Sequence, residues 1–118
     1  MSKDHPIYIY KITSLELWEN AKNTGILKGM PIDIADGYMH FSTKEQLSNT
    51  LRLHFKGQGE LVILGVNTEG LNSSLKWEVS RGGALFPHLY AELKTTMIDF
   101  VKIIKIDKNG ETNLGELK

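Results

Sequence analysis

Apolar residues are spaced along this chain so as to lay out most of its elements. Ile7 to Ile12 crowds β-branched and aromatic residues together, which predicts a strand. Thr13 and Glu16 then have the spacing of a capping box, Leu15, Trp18 and Ala21 recur at helical intervals, and Gly25 supplies a stop. A stretch rich in Gly, Pro and Asp follows and reads as a loop up to Asp36-Gly37. Tyr38 to Ser42 reads as a short strand that runs into a second helix. There Thr43 and Gln46 repeat the capping-box spacing, and Leu47, Leu51 and His54 fall on one stripe. Leu61 to Val66 is continuously apolar, as a central strand should be. Lys76 to Ser80 and His88 to Leu93 are strand-like and joined by an Arg81-Gly82-Gly83 loop. Met97 to Asp107 is long and β-rich, and Asp107-Lys108-Asn109-Gly110 predicts a hairpin turn into a C-terminal strand.

This gives five or six strands and two helices, both helices in the first half. Strands that follow one another through short connections point to an α+β fold with a largely antiparallel sheet rather than a doubly wound one. No repeat or linker interrupts the pattern, so residues 1–118 are expected to form a single domain.

Composition narrows the field of functions. Fourteen Lys and Arg balance fourteen Asp and Glu, which argues against a non-specific nucleic-acid or membrane-surface role. The absence of cysteine removes disulfides, thiolate nucleophiles and Cys-ligated metal. The four histidines, at positions 5, 40, 54 and 88, lack close ligand spacing, so no metal is expected. No signal peptide and no apolar run near the roughly 20 residues of a spanning helix is visible, so a cytoplasmic protein is expected. A phosphate-binding glycine loop, a dinucleotide G-x-G-x-x-G and a nucleophile elbow are also missing.

Three segments carry candidate chemistry. In an extended Asp36-Gly37-Tyr38-Met39-His40-Phe41-Ser42-Thr43, alternation puts Tyr38, His40 and Ser42 on one face and Met39 and Phe41 on the other. With a helix N-terminus directly after it, at Thr43, that face suits ribose or phosphate; a polar strand face that merely meets water gives the same pattern. In Phe86-Pro87-His88-Leu89-Tyr90 the same alternation pairs His88 with Tyr90, which could hold a flat ring such as a nucleobase or nicotinamide. The plain alternative is a tyrosine covering a sheet edge. In Lys76-Trp77-Glu78 the carboxylate either has its pKa raised by burial, binds ribose hydroxyls, or is a solvated strand residue beside a core tryptophan. Tyr10 and Lys11 add an aromatic and a cation, and an exposed strand lysine often has no special role.

These segments occur in one order together with Ile9-Tyr10-Lys11-Ile12, Gln46 and Leu75-Lys76-Trp77-Glu78. In that order the chain resembles the small bacterial family called domain of unknown function 952, from Ile7 to about Ile106. The resemblance implies an ADP-ribosyltransferase-like fold, a split and mostly antiparallel α+β sheet that binds NAD in a cleft. It implies Lys11 or Tyr10 at the nicotinamide ribose, His40 with Ser42 lining the pocket, and Glu78 as the carboxylate that assists transfer. This chain departs from a Glu-x-Glu signature, since Val79 and Ser80 follow Glu78. An RNA 2′-phosphotransferase-like variant would rely on basic residues, yet the chain has only Arg52 and Arg81 as arginines.

The leading expectation is therefore a domain that binds NAD or a related nucleotide and transfers or hydrolyses ADP-ribose. Glu78 and His40 are its candidate catalytic residues, and Tyr10, Lys11, His40, Ser42, Thr43, His88 and Tyr90 its candidate nucleotide contacts. A non-enzymatic small-ligand module and a protein-interaction domain are the alternatives, because a shared fold does not fix a shared function.

Overall fold

The computed structural model describes residues 6–117, apart from the side chains of Asn72 and Arg81. Eight strands and three α-helices are found among these residues. They run β1 (Tyr8–Ser14), α1 (Leu15–Thr24), β2 (Ile26–Leu27), α2 (Pro31–Asp36), β3 (Met39–His40), α3 (Lys44–His54), β4 (Gly59–Asn67), β5 (Leu75–Val79), β6 (Leu85–Leu89), β7 (Leu93–Lys94) and β8 (Ile98–Ile106). Every strand pairing is antiparallel, so the α+β expectation holds.

Two three-stranded sheets dominate, in the orders β1-β4-β8 and β3-β6-β5. They meet at one point. Tyr10 and Ser42 exchange both backbone hydrogen bonds at 2.8 Å, joining the end of the β3 segment to β1. The strands thus follow one another as β5-β6-β3 and then β1-β4-β8, a sheet split at its middle. β4 is the central strand of its sheet, as its unbroken apolar run predicts, with Leu61 to Leu64 and Val66 fully buried.

Side-chain alternation sorts the core into two clusters. Ile9, Val62, Leu64 and Val66 from one sheet pack with Met39, Phe41 and Leu89 from the other, and α1 closes this cluster through Ala21, Leu17 and Trp18. Tyr10, Ile12, Leu61, Ile63, Ile104 and Ile106 form the second cluster under Leu47 and Leu51 of α3. α3 covers only the β1-β4-β8 half of that side. Beside it a cleft lies against β3 and β6, lined by His40, Phe86 and His88.

Several sequence expectations are corrected. α1 is capped by Ser14, whose hydroxyl accepts from the Leu17 N–H at 3.1 Å, not by Thr13, which is buried on β1. The supposed loop before Asp36 contains a third helix, α2. Pro31 opens it, and Gly37 closes it at φ +84°, a left-handed conformation that glycine adopts without a steric penalty. The segment 88–93 is not one strand: β6 ends at Leu89, beyond which the Tyr90 N–H still bonds the Ser74 carbonyl, and Leu93 belongs to β7, paired with β2. No C-terminal strand follows the turn at Asp107, whose carboxylate accepts from the N–H groups of Asn109 and Glu111; residues 111–117 are irregular. No helix among the described residues is long and apolar enough to cross a membrane.

Candidate functional site

A cleft of about 760 Å³ opens where the two sheets separate, between α2 and the C-terminal half of α3. Its lining includes Tyr38, His40, Ser42 and His88, with Asp36 from α2, His54 from α3 and Phe55 just after it. Strand register explains this convergence. His40 on β3 lies directly opposite His88 on β6, and Lys76 on β5 lies on the other side of His88. The alternation expected for residues 38–42 holds, since Met39 and Phe41 are buried in the core while Tyr38 and His40 face the cleft.

α2 anchors one wall through Asp33. This carboxylate is buried and accepts four hydrogen bonds. Oδ2 takes the Lys11 ammonium and the Met30 N–H, each at 2.7 Å. Oδ1 takes the His40 backbone N–H at 2.9 Å and His40 Nδ1 at 2.8 Å. Burial pushes the Asp33 carboxyl up, but the His40 and Lys11 hydrogen bonds and the Lys11 charge outweigh it and hold the group at about 2. Asp33 is thus ionised at neutral pH, and His40 Nδ1 carries the proton. Burial lowers the Lys11 pKa against the opposing pull of Asp33. Lys11 also donates to the His40 carbonyl at 3.0 Å, so it braces β3 from beneath rather than standing exposed.

His40 Nε2 meets Asp36 Oδ2 at 3.0 Å. Both ring nitrogens therefore face carboxylate oxygens, which fix the ring in place.

The other wall is built on Glu78. His88 Nδ1 lies 2.7 Å from Glu78 Oε1, and the Tyr90 hydroxyl donates to the same oxygen at 2.8 Å. Those hydrogen bonds, His88 first, lower the Glu78 pKa, so the alternative of a carboxyl raised by burial beside Trp77 is corrected. Trp77 packs on the core instead. The hydrogen bond to Glu78, with burial and the carboxylate charge, raises the Tyr90 phenol to about 12. Tyr38 fills the space between the walls. Its ring stacks on His88 at 4.2 Å and contacts His40 at 4.6 Å and Tyr90 at 5.1 Å.

The remaining expected residues are placed as follows. Ser42 is buried at the cleft floor, its hydroxyl 3.4 Å from that of Thr50. Tyr10 does not reach the cleft; it belongs to the core under α3, where its ring lies over Gly65. Thr43 is the cap of α3, exchanging hydrogen bonds with Gln46 at 3.2 and 2.9 Å. Those bonds use N–H groups that an anion would need, and Thr43 is not part of the lining. Glu78 and Tyr90 are not part of the lining and connect to it through the Glu78 hydrogen bond to His88. Asp33 and Asp36 were not singled out from sequence. The Pro31 and Gly37 flanks of α2 were the available signal, because a helix between them places both carboxylates one turn apart. Among the described residues no group of three or more His, Asp or Glu side chains is arranged to hold a metal ion.

These features define an α+β domain with a split antiparallel sheet and a histidine-lined cleft at the split. The chain belongs to the family described as "Protein of unknown function (DUF952)", which it matches over residues 12–101. It is similar to protein CC0527 from Caulobacter crescentus. The crystal structure of that protein is 43% identical with a TM-score of 0.85, over 91% of this chain and 94% of that one. Its solution NMR structure is 43% identical with a TM-score of 0.79, over 89% and 90% of the two chains. No curated protein matches the chain.

Proposed function

We propose that this domain binds a ribose-bearing nucleotide, NAD or a close relative, in the cleft and transfers or hydrolyses its ADP-ribosyl group. The observation that carries the reading is the convergence of Asp36, His40, Ser42 and His88 on a cleft of about 760 Å³. A carboxylate, imidazoles and a hydroxyl side by side match the alternating donors and acceptors of a sugar's hydroxyls. The split sheet agrees with the resemblance to ADP-ribosyltransferases noted from the sequence. In such chemistry the bond from the ribose C1′ to nitrogen breaks, and positive charge builds on the sugar. The ionised Glu78, hydrogen-bonded to His88 of the lining, supplies negative potential that favours this charge.

A second reading is a nucleotide-binding module without turnover. It is favoured by the engagement of both His40 nitrogens by carboxylates, which holds the ring as a fixed part of the cleft wall. Nicotinamide release from NAD, measured by chromatography with wild type and Glu78→Gln, separates the two. The transferase reading expects release that falls at least tenfold in the variant; saturable NAD binding with no release leaves the binding module.

A further inference from the structure

Among the described residues, His88 combines burial with an unused nitrogen. The residue is only 3% exposed. Its Nδ1 is committed to Glu78 Oε1, which the ionised carboxylate fixes as an N–H donor. Its Nε2 has no hydrogen-bond partner among the described residues, and no buried side-chain nitrogen or oxygen among them is left both unpartnered and sealed from solvent. Nε2 therefore keeps contact with solvent, and the cleft is a space that His88 lines. Burying an imidazole while leaving one nitrogen bare sacrifices a hydrogen bond unless something else supplies it.

We propose that His88 Nε2 is the general base of this cleft, that Glu78 is its positioning residue, and that the group it deprotonates is a hydroxyl of water or of an alcohol-bearing acceptor. The identity of the electrophile rests on the reading above; the dyad does not. The three groups meet at one oxygen. Tyr90 and His88 share Oε1, so Glu78 is held from two sides and in turn holds the ring with the proton on Nδ1. Free neutral imidazole favours the opposite tautomer, so the carboxylate selects the form whose Nε2 lone pair faces the ligand.

In the transfer step, Nε2 takes the proton of the acceptor hydroxyl as its oxygen bonds to the ribose C1′. The C1′–N bond breaks, and its electron pair leaves with the nicotinamide, which departs neutral. The imidazolium so formed is balanced by Glu78 and later returns its proton to solvent. The titratable groups facing the His88 ring are Tyr38, His40, Glu78 and Tyr90, with Lys76 opposite on β5. Tyr38, stacked on the ring, has its pKa raised by burial and by Asp36 and Glu78, so it stays a neutral phenol while His88 works.

Long-range nitrogen NMR of the full chain under mildly alkaline conditions reads the tautomer with no ligand present. A protonated Nδ1 and bare Nε2 at His88, lost in Glu78→Val, is expected; a proton on Nε2 in the wild type overturns the dyad. With NAD as substrate, His88→Gln should lose about 10²-fold or more in turnover. It should recover part of its rate with added imidazole. Undiminished turnover in His88→Gln overturns the base assignment while leaving the NAD reading intact. If the wild type releases no nicotinamide, the transferase reading fails separately. The proposal is then decided by D-ribose: movement of the His88 Nε2 resonance on its addition supports a hydroxyl-facing acceptor, and no movement overturns it.

Discussion

Replacing Asp33 with asparagine should be the most damaging conservative change in this domain. Four donors converge on the Asp33 carboxylate: the Lys11 ammonium, the Met30 and His40 backbone N–H groups, and His40 Nδ1. An amide keeps the size but offers one oxygen and one NH₂, so at least one donor meets another donor. The Lys11 ammonium, 2% exposed, keeps only the His40 carbonyl. Breaking a buried pair from one side costs about 3–5 kcal/mol, against about 5–15 kcal/mol for the whole stability of a domain. For a chain of this length that is a fall of about 12–20 °C in Tm. Lys11→Met should rescue part of the loss, with a coupling energy above about 1 kcal/mol in the double-variant cycle. The pH dependence carries a second signature. The folded carboxyl, at about 2, lies below its unfolded value of 3.8. Its stabilisation is therefore complete above about pH 4 and is lost as pH falls toward 2. A shift of that size is worth on the order of 2 kcal/mol. Urea unfolding at several pH values, followed by tryptophan fluorescence, reads both effects. A loss below about 1 kcal/mol in Asp33→Asn, or an acid limb that superimposes on that of the wild type, would refute the reasoning.

Two further outcomes follow from local geometry. Tyr90 should resist ionisation in an ultraviolet titration until about pH 12, and in Glu78→Gln it should move back toward the ordinary phenol range; identical curves would contradict the Glu78 hydrogen bond. Gly110→Ala should destabilise the domain by at least about 1–2 kcal/mol, the cost of a left-handed residue. Gly110 has φ +83°, and an added Cβ would lie 2.8 Å from the Arg52 Cα, so a denaturation midpoint equal to wild type would show that α3 gives way there.

How much was legible in the sequence depended on whether a feature is local. The alternation of Tyr38, His40 and Ser42 against Met39 and Phe41 is a property of an extended chain, and so was the Thr43–Gln46 capping box. Both stood in the residue order. Lys11 did not. A lysine on a strand is ordinarily solvated, and only the return of α2, 22 residues later, supplies the carboxylate that lets it be buried. α2 itself has six residues, too few to show an apolar stripe, so only Pro31 and Gly37 marked it. The dyad of Glu78 and His88 needed the register of β5 on β6, which puts Lys76 opposite His88 and brings the next same-face carboxylate within 2.7 Å. Tyr10 shows the reverse case. Its neighbours allowed either face, and the glycine opposite it at position 65 made room for the ring in the core.

The central claim is that a ribose-bearing nucleotide sits against Tyr38, His40, Ser42 and His88. Amide and imidazole chemical-shift mapping of the full chain during an NAD titration tests it most directly. A second hollow of about 680 Å³, lined by residues from Thr24 to Glu92 and sharing Tyr38 with the cleft, is the internal control. The account predicts saturable shifts centred on His40, Ser42 and His88 that weaken in His40→Ala, with Thr24, Lys28 and Glu92 little moved. Shifts confined to the second hollow, or none at millimolar NAD, would contradict it.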